Sequence, residues 1–208
     1  MSRRTISIAA ALSVLALGSP LNVARANPLF VQYFNQGFEK YEAGNYQGAL
    51  ADYTKAIEVN PRSAAAYNYR GIAKDVLQDY QGAIADYTKA IEINPQYAVA
   101  YINRGMSKTY LKDYQGSISD FTEAIQTNPQ NATAYYNRAY SKGKSKNTQG
   151  AIADYTKAIE INPQYASAYV ARGIDREMVN DLKGACRDWR KAAGLGNENA
   201  AEWVKKQC

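Results

Sequence analysis

The eighteen residues QGAIADYTKAIEINPQYA stand at positions 81–98 and again, letter for letter, at 149–166. Between the two copies, residues 115–132 read QGSISDFTEAIQTNPQNA, and before them residues 47–64 read QGALADYTKAIEVNPRSA. Each step is 34 residues. A weaker version, KGACRDWRKAAGLGN, begins at Lys183. A fixed period of this size constrains the fold more than composition does. It describes an array of one small supersecondary unit, in place of the one or two globular domains that the length alone would allow.

The interior of a unit reads as helix, tight turn, helix, stop. In the unit from Ala64 to Tyr97, Tyr67 and Gly71 lie on a first segment that ends at Asp79-Tyr80-Gln81-Gly82, a turn-like cluster. Ala83, Tyr87 and Ala90 then recur at four and three, which is one face of a helix. Asn94-Pro95 ends that helix, because proline disfavours α geometry in the residue before it. Small residues at Gly71, Ala83 and Ala90 let the two helices approach closely, and Tyr67 and Tyr87 fill the space between them. Neither helix buries its stripe alone, so stability requires stacking on neighbouring units.

These residues resemble the tetratricopeptide repeat (TPR). The small residue of the family's first helix matches Gly37, Gly71, Gly105, Ala139 and Gly173. Its central alanine matches Ala49, Ala83, Ala151 and Ala185, with Ser117 in the third unit. Its aromatic matches Tyr53, Tyr87, Phe121, Tyr155 and Trp189, and its later alanine Ala56, Ala90, Ala124, Ala158 and Ala192. Its proline matches Pro61, Pro95, Pro129 and Pro163, while the fifth unit has Asn197 there. The resemblance implies an all-α, right-handed solenoid of five helix-turn-helix repeats (30–63, 64–97, 98–131, 132–165 and 166–197). A capping helix over 198–208 would cover the last exposed face.

The N-terminus reads differently. Arg3 and Arg4 precede an apolar run from Ile6 to Leu17, broken by Gly18, Ser19 and Pro20, and Ala24-Arg25-Ala26 has the small-x-small pattern of a signal-peptidase site. Residues 1–26 are expected to be a cleaved secretory signal. An uncleaved anchor is the alternative, although the run is short for a bilayer. Asn27-Pro28 suits the start of the first helix, asparagine as cap and proline at the first helical position. Removing residues 1–26 takes away Arg3, Arg4 and Arg25 and no acids, so half of the +6 net charge belongs to the export signal. The remaining basicity is weak support for nucleic-acid binding, and none is expected. Export places the protein in the periplasm, a lumen or the medium.

Chemistry is narrowed by what is missing. There is no histidine, which removes Ser-His-Asp and Cys-His nucleophile pairs and imidazole-dependent zinc sites. No enzyme site, cofactor or metal is expected. Cys186 and Cys208 are the two cysteines. In an exported protein they favour a disulfide, reached by folding back through Gly194-Leu195-Gly196. Asn131-Ala132-Thr133 is a glycosylation sequon by letters only.

Two further patterns carry expectations. Asp recurs at 52, 86, 120, 154 and 188, and Arg at 70, 104, 138 and 172, with Gln36 in the first unit. Because the first unit alone has no predecessor, each Arg is expected to pair with the Asp of the unit before it, Arg70 with Asp52 and Arg104 with Asp86. The fourth unit reads KSKNTQG where its neighbours read VLQDYQG and YLKDYQG, with Lys142, Lys144 and Lys146 close together. This is either a basic spot for an acidic partner or a solvated lysine turn.

The family resemblance implies a curved ribbon whose first helices line a concave groove. Groove positions are Phe34, Asn35, Phe38 and Tyr41 in the first unit, and Asn68, Tyr69, Ile72 and Asp75 in the second. Ile102, Asn103, Met106, Thr109 and Tyr110 follow in the third, and Tyr136, Asn137, Tyr140 and Lys144 in the fourth. Val170, Ile174 and Glu177 complete the set. Asn35, Asn103 and Asn137 share one register. An amide that both donates and accepts can grip a peptide backbone, or it can only bond the neighbouring helix. The lysines of the family's carboxylate-clamp variety are largely absent. The implied function is a non-catalytic scaffold that holds a peptide or helix of a partner protein. An assembly factor for an envelope or photosynthetic membrane complex, or a self-associating structural solenoid, are the alternatives.

Overall fold

The computed structural model describes residues 27–208, so the expected signal over 1–26 lies outside the described residues. Eleven helices and no strands fill the described residues. They run α1 (Pro28–Glu42), α2 (Tyr46–Val59), α3 (Ala64–Val76), α4 (Tyr80–Ile93), α5 (Ala98–Tyr110), α6 (Tyr114–Thr127), α7 (Ala132–Lys144), α8 (Thr148–Ile161), α9 (Ala166–Met178), α10 (Leu182–Gly194) and α11 (Glu198–Gln207). Each helix packs on the next one in sequence, the packing of a TPR solenoid. Each odd-numbered helix from α1 to α7 also touches the next odd-numbered helix, which puts the first helices of the units on the inner side of the curve.

Local chemistry starts and stops these helices. Asn27 accepts from the Leu29 amide at 2.9 Å, with Pro28 as the first helical residue. Asn45, Asp79, Asp113, Asn147 and Asp181 cap the second helix of each unit, each accepting from the backbone N–H of a glycine three residues on. At the other end, Asn60, Asn94, Asn128 and Asn162 turn to extended backbone. Their side-chain oxygens then accept from the amide two residues on, closing an Asx turn over the proline.

The turn within a unit needs a left-handed residue. Gly44 supplies it in the first unit with φ 78°, but Gln78, Lys112, Lys146 and Asn180 adopt φ 63°, 63°, 67° and 63° at the equivalent positions. These side chains carry a strain that the first unit avoids.

The core is a file of alanines and one aromatic per unit. Tyr53, Tyr87, Phe121, Tyr155 and Trp189 are all buried, each against the small residue of the first helix. A methyl group built at Gly71 would lie 2.6 Å from the Tyr87 ring, and one at Gly105 would lie 2.8 Å from Phe121. The fourth unit accommodates Ala139 beside Tyr155. At the end of the array, α11 lays Ala200, Trp203 and Val204 against Ala185, Trp189 and Ala192. Cys186 and Cys208 are joined in a disulfide that ties the end of α11 to the start of α10.

The arginine–aspartate ladder differs from the expectation. Arg70 pairs with Asp86 of its own unit, at 2.6 and 2.9 Å, and not with Asp52. Arg104 holds Asp120, Arg138 holds Asp154 and Arg172 holds Asp188 in the same bidentate way. The reach to the preceding unit is made by the third nitrogen, to Thr54, Thr88, Thr122 and Thr156 in turn. The reason is geometric. Two helices joined by a tight turn run antiparallel, which sets Arg70 of α3 opposite Asp86 of α4 within the unit. Asp52 lies half a helical turn from Thr54 and points into its own unit, where Lys40 takes it.

Candidate protein-interaction groove

The first helices carry the groove residues, and the structure sorts them into three groups. Some are consumed by the core. Asn68 is only 2% exposed and accepts from Asn103 Nδ2 at 3.0 Å, so it does not line the groove as expected. A buried amide cannot reach a ligand, and here it links α3 to α5. Ile102 likewise sits in the cluster around Phe121. Others are half-buried in aromatic clusters. Phe34 and Phe38 meet the edge of Tyr69 at 5.3 and 6.1 Å, and Tyr69 lies 5.9 Å from Tyr53. Tyr136 stacks on Tyr165 at 5.0 Å, and Tyr41 meets Tyr46 edge to face at 5.3 Å. Val170 packs against the Trp189 cluster, and Thr109 Oγ1 donates to the Gly105 carbonyl. These side chains shape the wall more than they offer themselves.

The third group faces solvent. Met106, Tyr140 and Ile174 are exposed, and Tyr110 is 63% exposed. Val76 on α3 and Met178 on α9, outside the expected groove set, are exposed at the register of Tyr110. Asn35, Lys144 and Glu177 are exposed around them, and Ile72 and Asn137 are half-buried. Lys144 Nζ lies 5.3 Å from the Tyr140 ring centre. Asn103 already bonds Asn68, so in this pair the register serves helix packing, while Asn35 and Asn137 form no side-chain bond among those described.

One cavity of about 310 Å³ opens on this face. Ile72, Asp75 and Val76 of α3 form one side, and Asn103, Met106 and Tyr110 of α5 the other. Tyr80 and Tyr87 of α4 complete it. The Tyr80 and Tyr110 rings stack with centres 4.9 Å apart and planes 13° from parallel. Tyr80 belongs to the turn cluster, and its repetition as Tyr46 and Tyr114 disguised it as a periodic structural residue.

Two carboxyls on the first helices have shifted acidity. Burial raises the pKa of Asp75 above the ordinary value, against the pull of hydrogen bonds from Tyr87 and Ser107. Burial pushes Asp175 up to about 6, with Lys144 opposing it. One oxygen of Asp175 is buried without a hydrogen-bond partner, beside Gly143. The Tyr87 hydroxyl is pushed far upward by burial and by its bond to Asp75.

The lysine turn of the fourth unit is not the cluster of three that its letters suggested. Lys142 pairs with Asp154 at 2.7 Å, as Lys74 does with Asp86 and Lys108 with Asp120. It is a periodic residue that joins the arginine on each aspartate. Lys144 and Lys146 alone remain exposed.

No described helix is long and apolar enough to cross a membrane. A comparison with curated protein sequences found no match. Among solved structures, the fold is similar to MamA from Desulfovibrio magneticus RS-1, with TM-score 0.77, 20% identity, and 82% of this chain and 96% of that one covered. It is similar to PilF of Pseudomonas aeruginosa, with TM-score 0.75, 20% identity and 84% and 79% covered. It is also similar to YrrB, described as a TPR protein with an unusual peptide-binding site, with TM-score 0.70, 20% identity and 84% and 90% covered. Tetratricopeptide repeat profiles match residues 34–98, 98–131 and 132–165, an unbroken run over α1–α8. With the period, the helix pairs and these profiles in agreement, the chain belongs to the tetratricopeptide repeat family.

Proposed function

We propose that this protein is a non-catalytic interaction scaffold, working outside the cytoplasm, that holds a segment of a partner protein along its first-helix face. The observation that carries the reading is a set of exposed large apolar side chains at two registers one helical turn apart, Met106, Tyr140 and Ile174 at one and Val76, Tyr110 and Met178 at the other, across four consecutive first helices. A soluble chain rarely keeps so many large apolar side chains exposed on one face unless something covers them. Tyrosine and methionine suit that role, being rigid anchors and adaptable fillers respectively. The peptide-binding description of YrrB fits the same use of the fold, by analogy only. The export signal read over residues 1–26 supports a location outside the cytoplasm.

Photo-crosslinking tests this reading. A benzophenone side chain is placed at position 110 or 140 in the groove, and at position 89 on an exposed second-helix site. Crosslinks in the native host to one partner from 110 and 140, and none from 89, support groove binding. Crosslinks only from 89 would move the interface to the outer face. Crosslinks to the same chain alone would make the protein a self-associating solenoid. N-terminal sequencing of the exported form tests the location: it should begin at Asn27.

A further inference from the structure

We propose that the cavity between α3 and α5 is an anchor site for one basic side chain, a lysine or arginine, of the bound partner segment. This rests on the groove reading above and names the chemistry of one pocket on that face.

The argument begins with a contrast among aspartates. Asp52, Asp86, Asp120, Asp154 and Asp188 are all buried on second helices, and every one is met by a lysine or arginine. Asp75 is different. It forms no ion pair among the described residues, and it borders the cavity. The cations nearest to it in sequence are engaged elsewhere, Arg70 and Lys74 both on Asp86. Its oxygens receive only neutral hydroxyls, Tyr87 at 2.6 Å and Ser107 at 2.7 Å. A hydroxyl or amide side chain would have accepted the Tyr87 proton equally well. Other units place Tyr41, Thr109, Gly143 and Glu177 at this register, so the repeat does not demand a carboxylate here. Only Glu177 repeats a carboxylate there, so the Asp75 charge is not imposed by the repeat. Burial already disfavours it, and Asp79 adds a like charge.

The walls match the rest of a basic side chain. Lysine and arginine carry a long apolar stem behind a charged head. Ile72, Val76 and Met106 offer apolar contact for the stem, and the stacked Tyr80–Tyr110 pair offers π-faces for the cation. Asp75 Oδ1 accepts only from Ser107 and keeps a free lone pair, whereas Oδ2 accepts from Tyr87 at 2.6 Å and shares Ser107 at 3.0 Å. An acidic or uncharged anchor would leave Asp75 unneutralised, and an acidic one would be repelled.

The test uses the residue 27–208 protein and small probes: Nα-acetyl-lysine methylamide, Nα-acetyl-arginine methylamide and Nα-acetyl-norleucine methylamide. The Met106 methyl signal is followed by NMR during each titration. Saturable shifts with the lysine or arginine probe, at least fivefold tighter than norleucine, are expected. Asp75→Asn should erase that preference while norleucine binding stays unchanged. Tyr110→Ala, which leaves the Asp75 hydrogen bonds in place, should weaken the basic probes severalfold, and helicity is checked for both variants. Equal binding of norleucine, or a preference that survives Asp75→Asn, would overturn the assignment. So would the absence of any shift at Met106 in the intact protein. The crosslinks from position 140 keep the two ideas apart. A partner captured there with no basic preference at the pocket leaves the groove reading standing and ends this one. A basic preference with no groove crosslink does the reverse.

Discussion

Arg104 grips both oxygens of Asp120 on its own repeat, at 2.7 and 3.0 Å, and sends its remaining nitrogen 3.0 Å to Thr88 on the repeat before. One side chain thus closes its own helix pair and fastens that pair to its neighbour. The partner aspartate is nearly inaccessible and is also met by Lys108 at 2.8 Å. Arg104→Ala is expected to destabilise by about 3 kcal/mol, the low end for a broken buried pair, because Lys108 still meets the buried carboxylate. Thr88→Val removes the one bond that the guanidinium donates to a neutral hydroxyl and should cost about 1.5 kcal/mol. Urea unfolding of the two variants measures both, and equal effects would show that the link between repeats matters as much as the pair within one.

The turn residues offer a stabilising change. Lys112 holds φ 63° at the position where the first unit has glycine. Lys112→Gly relieves left-handed strain of about 1–2 kcal/mol and gives back part of it as unfolded-chain entropy. A net gain of up to about 1 kcal/mol is expected in thermal or urea unfolding. A loss would mean that the lysine side chain makes a contact worth more than the strain.

Close packing predicts the opposite at Gly71. A methyl group there would sit 2.6 Å from the buried Tyr87 ring. Gly71→Ala gains helix propensity but forces the ring to move, and the expected net cost is about 1–3 kcal/mol. The double variant Gly71→Ala, Tyr87→Leu should recover part of that cost, which a double-mutant cycle will show.

Asp175 makes stability depend on pH. Its pKa in the folded chain is raised to about 6 by burial, so the protonated form favours the fold. That contribution is fully present below the ordinary carboxyl value near 3.8 and is lost as pH rises through about 6. Asp175→Asn should therefore stabilise at pH 7 by about 1 kcal/mol, discounted because the side chain is partly in solvent. The advantage should vanish near pH 4. An advantage that is constant from pH 4 to pH 7 would rule out titration of this group as its source.

The disulfide staples the last helix. Bonding Cys186 to Cys208 closes a loop of 22 residues, and the chain-entropy account assigns this about 3 kcal/mol. Reduction should raise amide exchange first in α11 and then in α10, with α1–α4 unchanged, because repeats contact only their neighbours. Uniform loosening along the array would contradict that picture.

What could be read from residues alone was everything that repeats. A period of 34 residues, an Asn-Pro stop and a small residue opposite an aromatic are local or periodic facts, so they define helices, turns and the array without coordinates. The capping helix and the cysteine pair were legible for the same reason, as departures at the end of a regular series. Contacts between units were decided by tertiary structure. Arg70 and its aspartates recur with one period, and periodicity alone cannot tell Asp86 from Asp52, since both lie at allowed offsets. Only the antiparallel facing of two helices selects one. Asn68 and Asn103 looked alike as letters, yet packing buries the first and leaves the second at a cavity wall. Asp75 and Tyr80 were hidden for a related reason. One sits at a register where every unit carries a different residue and the other at a register with tyrosine in the first three units, and neither announces a pocket until α3, α4 and α5 bring them to one opening.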